Sequence, residues 1–223
     1  MNVKLPYFDR DGWKVAFIVW AVAYILGHVD VCVWWIGFFI GCACLLFFRD
    51  PERIHSQKKG IAVSPADGII LKISEVEPPE ELQLKGKRTK ISIFMSILNV
   101  HVNRTPVPGI VEKLLYVPGR FFNVTLDKAN EYNERLATFM KMKDGTQIVF
   151  VQIAGLIARR IRCDIAEGDE LTLGQRVGII RFGSRVDVYL PTDVTVQVEE
   201  GQITVAGETI LANFKTKEKV NEK

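Results

Sequence analysis

The pair Gly183-Ser184 lies in the run Arg181-Phe182-Gly183-Ser184-Arg185-Val186-Asp187-Val188-Tyr189-Leu190-Pro191. Read with period 2, Ile180, Phe182, Val186, Val188 and Leu190 are apolar, whereas Arg181, Arg185, Asp187 and Tyr189 carry polar atoms; Ser184 falls on the apolar face. A hydroxyl there is desolvated unless it finds a partner, and Gly183 has no Cβ to obstruct attack on its own carbonyl. Taken alone, the pair equally fits a kink or bulge in a strand. His101 closes a strand in which Asn99, His101 and Asn103 share one face and Val100 and Val102 the other, so the imidazole is expected among polar side chains; alone, it also fits a satisfied structural histidine. Asp67, in Ser64-Pro65-Ala66-Asp67-Gly68, fits a turn aspartate. Arg159 and Arg160 follow an apolar strand, where guanidinium forks suit phosphate or carboxylate and equally a solvated face. Arg181 and Arg185 offer the same chemistry beside Gly183.

The elements that must position these residues are mostly strands. Ile61 to Ile73, Lys90 to Val102, Ile148 to Ala154 and Val186 to Leu190 are rich in β-branched residues and separated by Gly, Pro and Asp turns. One helix is expected there, from Lys128 to Met142, opened by acidic and amide residues and stopped by Asp144-Gly145. Glu167-Gly168-Asp169-Glu170-Leu171-Thr172-Leu173-Gly174-Gln175 resembles Glu200-Gly201-Gln202-Ile203-Thr204-Val205-Ala206-Gly207-Glu208, which fits paired hairpins. The expected fold is mainly β (α+β), a barrel-sandwich-like domain.

Before this domain, Val15 to Phe48 is almost continuously apolar, broken at Gly27-His28-Val29-Asp30. As helices, Val15 to Leu26 would span about 18 Å and Val31 to Phe48 about 27 Å, against a hydrocarbon core of about 30 Å. Basic residues at both outer ends place them on one side of a bilayer, which a hairpin satisfies, whether it crosses both leaflets or dips into one. The expected organisation is a membrane-associating hairpin over 1–48, a linker over 49–60, a catalytic domain over 61–214 and a charged tail over 215–223.

Apolar residues make up 48% of the chain, concentrated before Arg49. A net charge of +3, without basic residues interleaved with aromatics, argues against a nucleic-acid partner. Cys32, Cys42 and Cys44 lie in the apolar segment and Cys163 is isolated; that spacing gives neither a metal site nor a disulfide framework. No small-residue cleavage pattern follows the apolar run, so the domain is expected at the cell membrane on its cytoplasmic side.

Five stretches, in order, carry a family resemblance: Phe47-Phe48-Arg49-Asp50-Pro51-Glu52-Arg53, Ser64-Pro65-Ala66-Asp67-Gly68, Asn99-Val100-His101-Val102-Asn103-Arg104-Thr105-Pro106, Tyr116-Val117-Pro118-Gly119-Arg120-Phe121-Phe122-Asn123 and the Gly183-Ser184 segment. Together they resemble the short form of the phosphatidylserine decarboxylases, from about Phe47 to Phe214. The resemblance implies a proenzyme that cuts itself between Gly183 and Ser184, giving a large chain (1–183) and a small one (184–223). Ser184 would become a pyruvoyl group, with no external cofactor. A Schiff base between that group and the amine of a serine phospholipid would then provide the electron sink for loss of carbon dioxide.

By the same resemblance Asp67 is the acidic member of the self-cleavage triad and His101 matches a family histidine; Arg159 or Arg160, by the chemistry of their guanidinium forks, is a candidate for the headgroup. Longer family members carry a second histidine where this chain has Arg104, and assign self-cleavage to it. Arginine stays protonated and is no general base. Either His101 serves both stages, the reading preferred, or Asp67 and strain carry cleavage alone. Two other readings stand beside this one. The same headgroup chemistry would serve an ether-linked archaeal serine lipid, and a non-enzymatic membrane adaptor built like a biotinyl or lipoyl module would leave Gly183-Ser184 intact.

Overall fold

Runs of β-branched residues that alternate between two apolar faces can be buried on both sides of a sheet, and the centre of this molecule is built that way. The structure, a computed structural model, describes residues 7–119, 133–155, 160–181 and 183–215. In chain order the elements are β1 (Tyr7–Phe8), α1 (Arg10–Gly27), α2 (Val31–Phe47), β2 (Arg49–Asp50), β3 (Ile61–Val63), β4 (Gly68–Val76), β5 (Arg88–Met95), β6 (Val102–Arg104), β7 (Gly109–Val117), β8 (Arg135–Lys141), β9 (Gln147–Ala154), β10 (Ile161–Cys163), β11 (Glu170–Leu171), β12 (Arg176–Ile180), β13 (Ser184–Leu190), β14 (Thr195–Val196), β15 (Ile203–Thr204) and β16 (Ile210–Asn213). Eight strands form one antiparallel sheet in the order β11-β7-β8-β9-β13-β5-β4-β15.

β13 is an inner strand, buried along its whole length. Val186, Val188 and Leu190 pack with Ile91, Ile93, Met95 and Phe150 in the main core. That core also takes in Ala62, Val196, Leu211 and Ala212 from the sheet β14-β16-β3, and Ile161, Val177 and Ile180 from the sheet β10-β12-β6. Leu82, Ala137, Val149, Val151, Ile153 and Tyr189 form a second cluster.

The helix expected from Lys128 to Met142 is corrected where the chain is described: Arg135–Lys141 is β8, paired to β7 and β9. Leu136 and Met140 enter the main core while Ala137 and Phe139 join the second cluster, a period of 2 that cross-strand packing rewards over helix propensity. Residues 128–132 of that expectation lie outside the described residues, as do 120–123, Arg159, Phe182 and 216–223.

The repeat is a repeat of structure. Gly168 N donates to Val111 O and Gly201 N to Ile70 O, while the Glu167 and Glu200 carboxylates accept from Leu114 N and Ile73 N. The strands so capped, β7 and β4, each carry a register shift at the same place, Val111/Lys113 and Ile70/Lys72. Each strand opens on a glycine at a close crossing. A Cβ on Gly68 would stand 2.1 Å from Phe94 O, and one on Gly109 2.4 Å from Lys141 O. The turns before them match too: Ser64 Oγ donates to Ala66 O and Thr105 Oγ1 to Val107 O, both at 2.7 Å.

Helix α1 starts five residues before the apolar run, because Asp9 caps it by accepting from Asp11 N; Asp30 caps α2 in the same way from Cys32 N. Gly37 and Gly41 let the helices touch: an added Cβ would meet Ala23 Cβ at 2.2 Å and Trp20 Nε1 at 2.1 Å. Phe17, Ile18, Ile25, Ile36, Phe39 and Ile40 remain exposed on this pair. No helix among the described residues is long and apolar enough to cross a membrane.

Segment 51–60 has no regular structure, but it is a strap. Asp50, just before it, is buried and accepts from Arg104 Nη2 at 3.0 Å and from Arg176 Nε. Arg53 pairs with Asp67 at 2.7 Å, and His55 Nδ1 sits 3.1 Å from Gly207 O. A Cβ on either repeat glycine, Gly174 or Gly207, would collide with the His55 ring.

Candidate active site

Strand β13 delivers Ser184 to the apolar face that its alternation demands, opposite Met95 on β5 and Ala154 on β9. The residue is 0% exposed, and its Oγ rests 3.3 Å from Met95 Sδ, a weak acceptor. Just outside the strand Gly183 has φ +60, in the left-handed region, although nothing lies within 4 Å of where a Cβ would stand. Glycine is therefore favoured here by backbone conformation and not by space.

Both polar groups of Gly183 are engaged. Its N–H donates to His101 Nε2 at 3.3 Å, and its carbonyl accepts from Gly155 N at 3.1 Å. Gly155 is placed by the end of β9, where the buried Asn133 amide donates to Ala154 O at 2.9 Å. The carbonyl that a Ser184 nucleophile would attack is thus already polarised by a backbone donor.

His101 does not stand among polar side chains as the alternation of its strand predicts. It is 0% exposed and lies under the Phe47 ring, centroids 4.2 Å apart, beside the cluster of Phe47, Phe48, Val100, Val102 and Ile179. The cause is tertiary: the end of α2 packs on this face. Burial pushes the imidazole pKa down to about 4, with the nearby Arg49 charge acting in the same direction and the Asn99 carbonyl opposing. Nδ1 is 2.9 Å from Asn99 O, so Nδ1 carries the proton and Nε2 presents its lone pair to Gly183. A neutral imidazole in this tautomer can accept a proton at Nε2.

Asp67 belongs to a neighbouring network. Its Oδ2 accepts from Arg53 and its Oδ1 from Ala206 N, both at 2.7 Å. The orienting contact to His101 comes from the Asn99 carbonyl instead. Arg104 is buried, donating to Asp50 and to Gly174 O, so its guanidinium holds the strap. Arg185 is buried in a bidentate pair with Asp187, and Arg181 is paired with Asp11. Arg160 is exposed, and its carbonyl accepts from Arg181 N at 3.3 Å.

Met95, Phe47, Gly155 and the Asn99 carbonyl were not singled out by sequence reasoning. Phe47, Met95 and Asn99 stood inside stretches read for other residues. A backbone N–H or a packing contact leaves no signature in residue type.

The sequence pattern of the phosphatidylserine decarboxylase family matches residues 41–212, which take in both partners of the His101–Gly183 contact. The chain belongs to this family. Among its relatives, the phosphatidylserine decarboxylase proenzyme of Paramagnetospirillum magneticum is 46% identical over 211 residues, covering 94% of this chain and 88% of the relative. Those of Rickettsia akari and Ruegeria pomeroyi are each 48% identical, over 96% and 92% of this chain and 93% and 94% of their own lengths. The family's reaction is conversion of phosphatidylserine to phosphatidylethanolamine with release of carbon dioxide. Membership makes the chain an enzyme and sets aside the carrier-like adaptor.

Proposed function

We propose that this chain is a proenzyme that cuts itself between Gly183 and Ser184, and that Ser184 becomes the pyruvoyl group with which the mature enzyme decarboxylates phosphatidylserine. The observation that carries this reading is the double hold on Gly183, His101 Nε2 on its N–H side and Gly155 N on its carbonyl, beside a buried Ser184 hydroxyl. The buried position also fits the group, since a small ketone could replace the serine against Met95 and Ala154 without a charge to solvate.

For cleavage, the Ser184 hydroxyl must leave Met95 and Nε2 must release the Gly183 N–H, so that its lone pair takes the serine proton as Oγ bonds to the Gly183 carbonyl carbon. The charge that develops on the Gly183 oxygen is held by Gly155 N–H. The Gly183–Ser184 C–N bond breaks and the imidazole returns its proton to the nitrogen. Loss of the Ser184 Cα proton then expels the Gly183 carboxylate from Cβ, and hydrolysis of the resulting enamine releases ammonia. Once formed, the ketone supplies the sink for the electron pair left by carbon dioxide. His101 can then handle the proton that returns to the substrate, so one residue serves both stages. Asp67 acts as a positioning residue: with Arg53 it fixes the turn whose Pro65 carbonyl accepts from Arg104 N, at the far end of the short strand β6 that begins directly after His101. Arg159 and Arg160 remain the candidates for the headgroup.

The exposed apolar faces of α1 and α2 support a membrane-associating segment over 1–48; it is joined through 49–60 to a catalytic domain over 61–214, put on the cytoplasmic side by the basic residues that flank the apolar run, with a charged tail over 215–223. Intact mass spectrometry tests the central claim. A small chain beginning at residue 184, lighter than simple hydrolysis predicts by the mass of ammonia, is expected, and Ser184→Ala should remain one chain. Active material made only of uncut chain would refute the reading.

A further inference from the structure

The loop from Ser96 to Asn99 joins β5 to His101, and it shows an unusual contrast. Met95 and His101 are fully buried, whereas Ile97 is 49% and Leu98 82% exposed. The two aliphatic side chains are not left outside by a loose loop. Asn99 N donates to Ser96 O at 3.0 Å, and Asn99 Oδ1 accepts from both Ser96 N and Ser96 Oγ at 2.8 Å, a closed turn that holds them outward. Arg49 ties this turn to the foot of α2: its Nη1 donates to Leu46 O and its Nη2 to Leu98 O. Leu46 is itself exposed.

We propose that Leu46, Ile97 and Leu98 form one apolar tip that enters the lipid bilayer, with Arg49 at its margin facing lipid phosphate. The proposal rests on the reading of the chain as a decarboxylase of a membrane lipid. Three features select a bilayer as the occupant. Aliphatic side chains bordered by a cation match the acyl-to-phosphate boundary. The tip continues the exposed apolar surface of α2. The same turn ends in the Asn99 carbonyl that orients His101 Nδ1, so seating the loop in the interface brings the His101–Gly183 region to the plane of the headgroups.

The full self-cleaved chain carrying Ile97→Ser and Leu98→Ser tests this, on vesicles of phosphatidylserine with phosphatidylcholine and on a short-chain phosphatidylserine kept monomeric. Chain separation on a gel should be unchanged, the bulk lipid concentration for half-maximal rate on vesicles should rise about tenfold, and turnover of the monomeric lipid should be unaltered. Unchanged vesicle kinetics would overturn the proposal; equal loss on both lipids would overturn it by showing that the loop acts on His101 and not on the bilayer. A second readout is independent of activity, and of whether the double variant folds: Leu98→Trp should be quenched by vesicles of brominated phosphatidylserine beyond the quenching of the parent chain. No added quenching, or an emission change that follows protein concentration without lipid, would reject a bilayer, the latter in favour of a second copy. A parent chain inactive on both lipids, with Leu98→Trp still quenched, would refute the decarboxylase reading and leave the bilayer contact standing.

Discussion

At the scale of single residues, the buried neutral histidine governs how the molecule responds to acid. The His101 pKa of about 4 in the fold lies below its ordinary value of 6.5, so as pH falls from 6.5 the unfolded chain takes up a proton that the folded chain refuses. Stability supplied above pH 6.5 is therefore lost progressively down to about pH 4, by about 3 kcal/mol in total. Urea titrations of the uncut Ser184→Ala chain should show this loss, and adding His101→Gln should remove that part of it. Self-cleavage needs the unprotonated Nε2, so its rate should hold from pH 7 to near pH 5 and fall towards pH 4. A half-fall near 6.5 would mean that the ring is solvated when it acts. Gly183→Ala separates conformation from space. The site is open, so the expected cost is only the left-handed backbone of an L-residue, about 1–2 kcal/mol, while cleavage slows more steeply because the attacked carbonyl leaves the Gly155 donor.

At the scale of elements, the two structural repeats depend on glycines that admit a neighbouring backbone. Gly68→Ala and Gly109→Ala should each cost about 3 kcal/mol, since the obstruction is a carbonyl that cannot rotate away. Gly145→Ala, at positive φ with nothing within 4 Å, should cost nearer 1 kcal/mol, and chemical denaturation of the three variants checks the order. The strap from Asp50 to His55 is an element of the same kind, defined by partners rather than by secondary structure. Arg104→Ala leaves the buried Asp50 carboxylate to Arg176 alone, and should destabilise by about 3 kcal/mol. Its Gly183–Ser184 bond should still be cut when the chain is held at low temperature, because Arg104 takes no part in proton transfer.

At the scale of the whole molecule, the two helices are coupled to the cleavage site at two places. Phe47 covers His101, and Asp11 at the start of α1 pairs with Arg162 and with Arg181, two residues before Gly183. Removal of residues 1–48 should leave a folded β domain, because the main core lies within the strands, and one that no longer sediments tightly with membranes, because only Ile97 and Leu98 of the proposed apolar lipid contacts remain. The same deletion bares His101 to water, so its pKa, followed by NMR, should rise from about 4 towards its ordinary value, and the acid limb of the cleavage rate should move up in pH with it. An acid limb that stays near pH 4 in the truncated chain would show that the helix end does not tune the base.

Alternation in the sequence determined the face on which Ser184 lies and the apolar run the two helices, because each depends on neighbours within one stretch of chain. The internal repeat, expected as paired hairpins, gives instead the matched end strands β11 and β15, paired to the distant β7 and β4. The five ordered motifs pointed to the family, to Gly183-Ser184 and to His101. The tertiary structure alone decided the rest. Residues 135–141 are individually compatible with a helix and became strand β8 because β7 and β9 lie on either side of them. His101 alternates with valines and was expected in polar surroundings, yet it is buried because Phe47, 54 residues earlier, closes over it. The Gly155 donor and the Asn99 carbonyl are backbone groups that every non-proline residue possesses, so only the fold, by bringing distant strands into register, could select which of them serve the site.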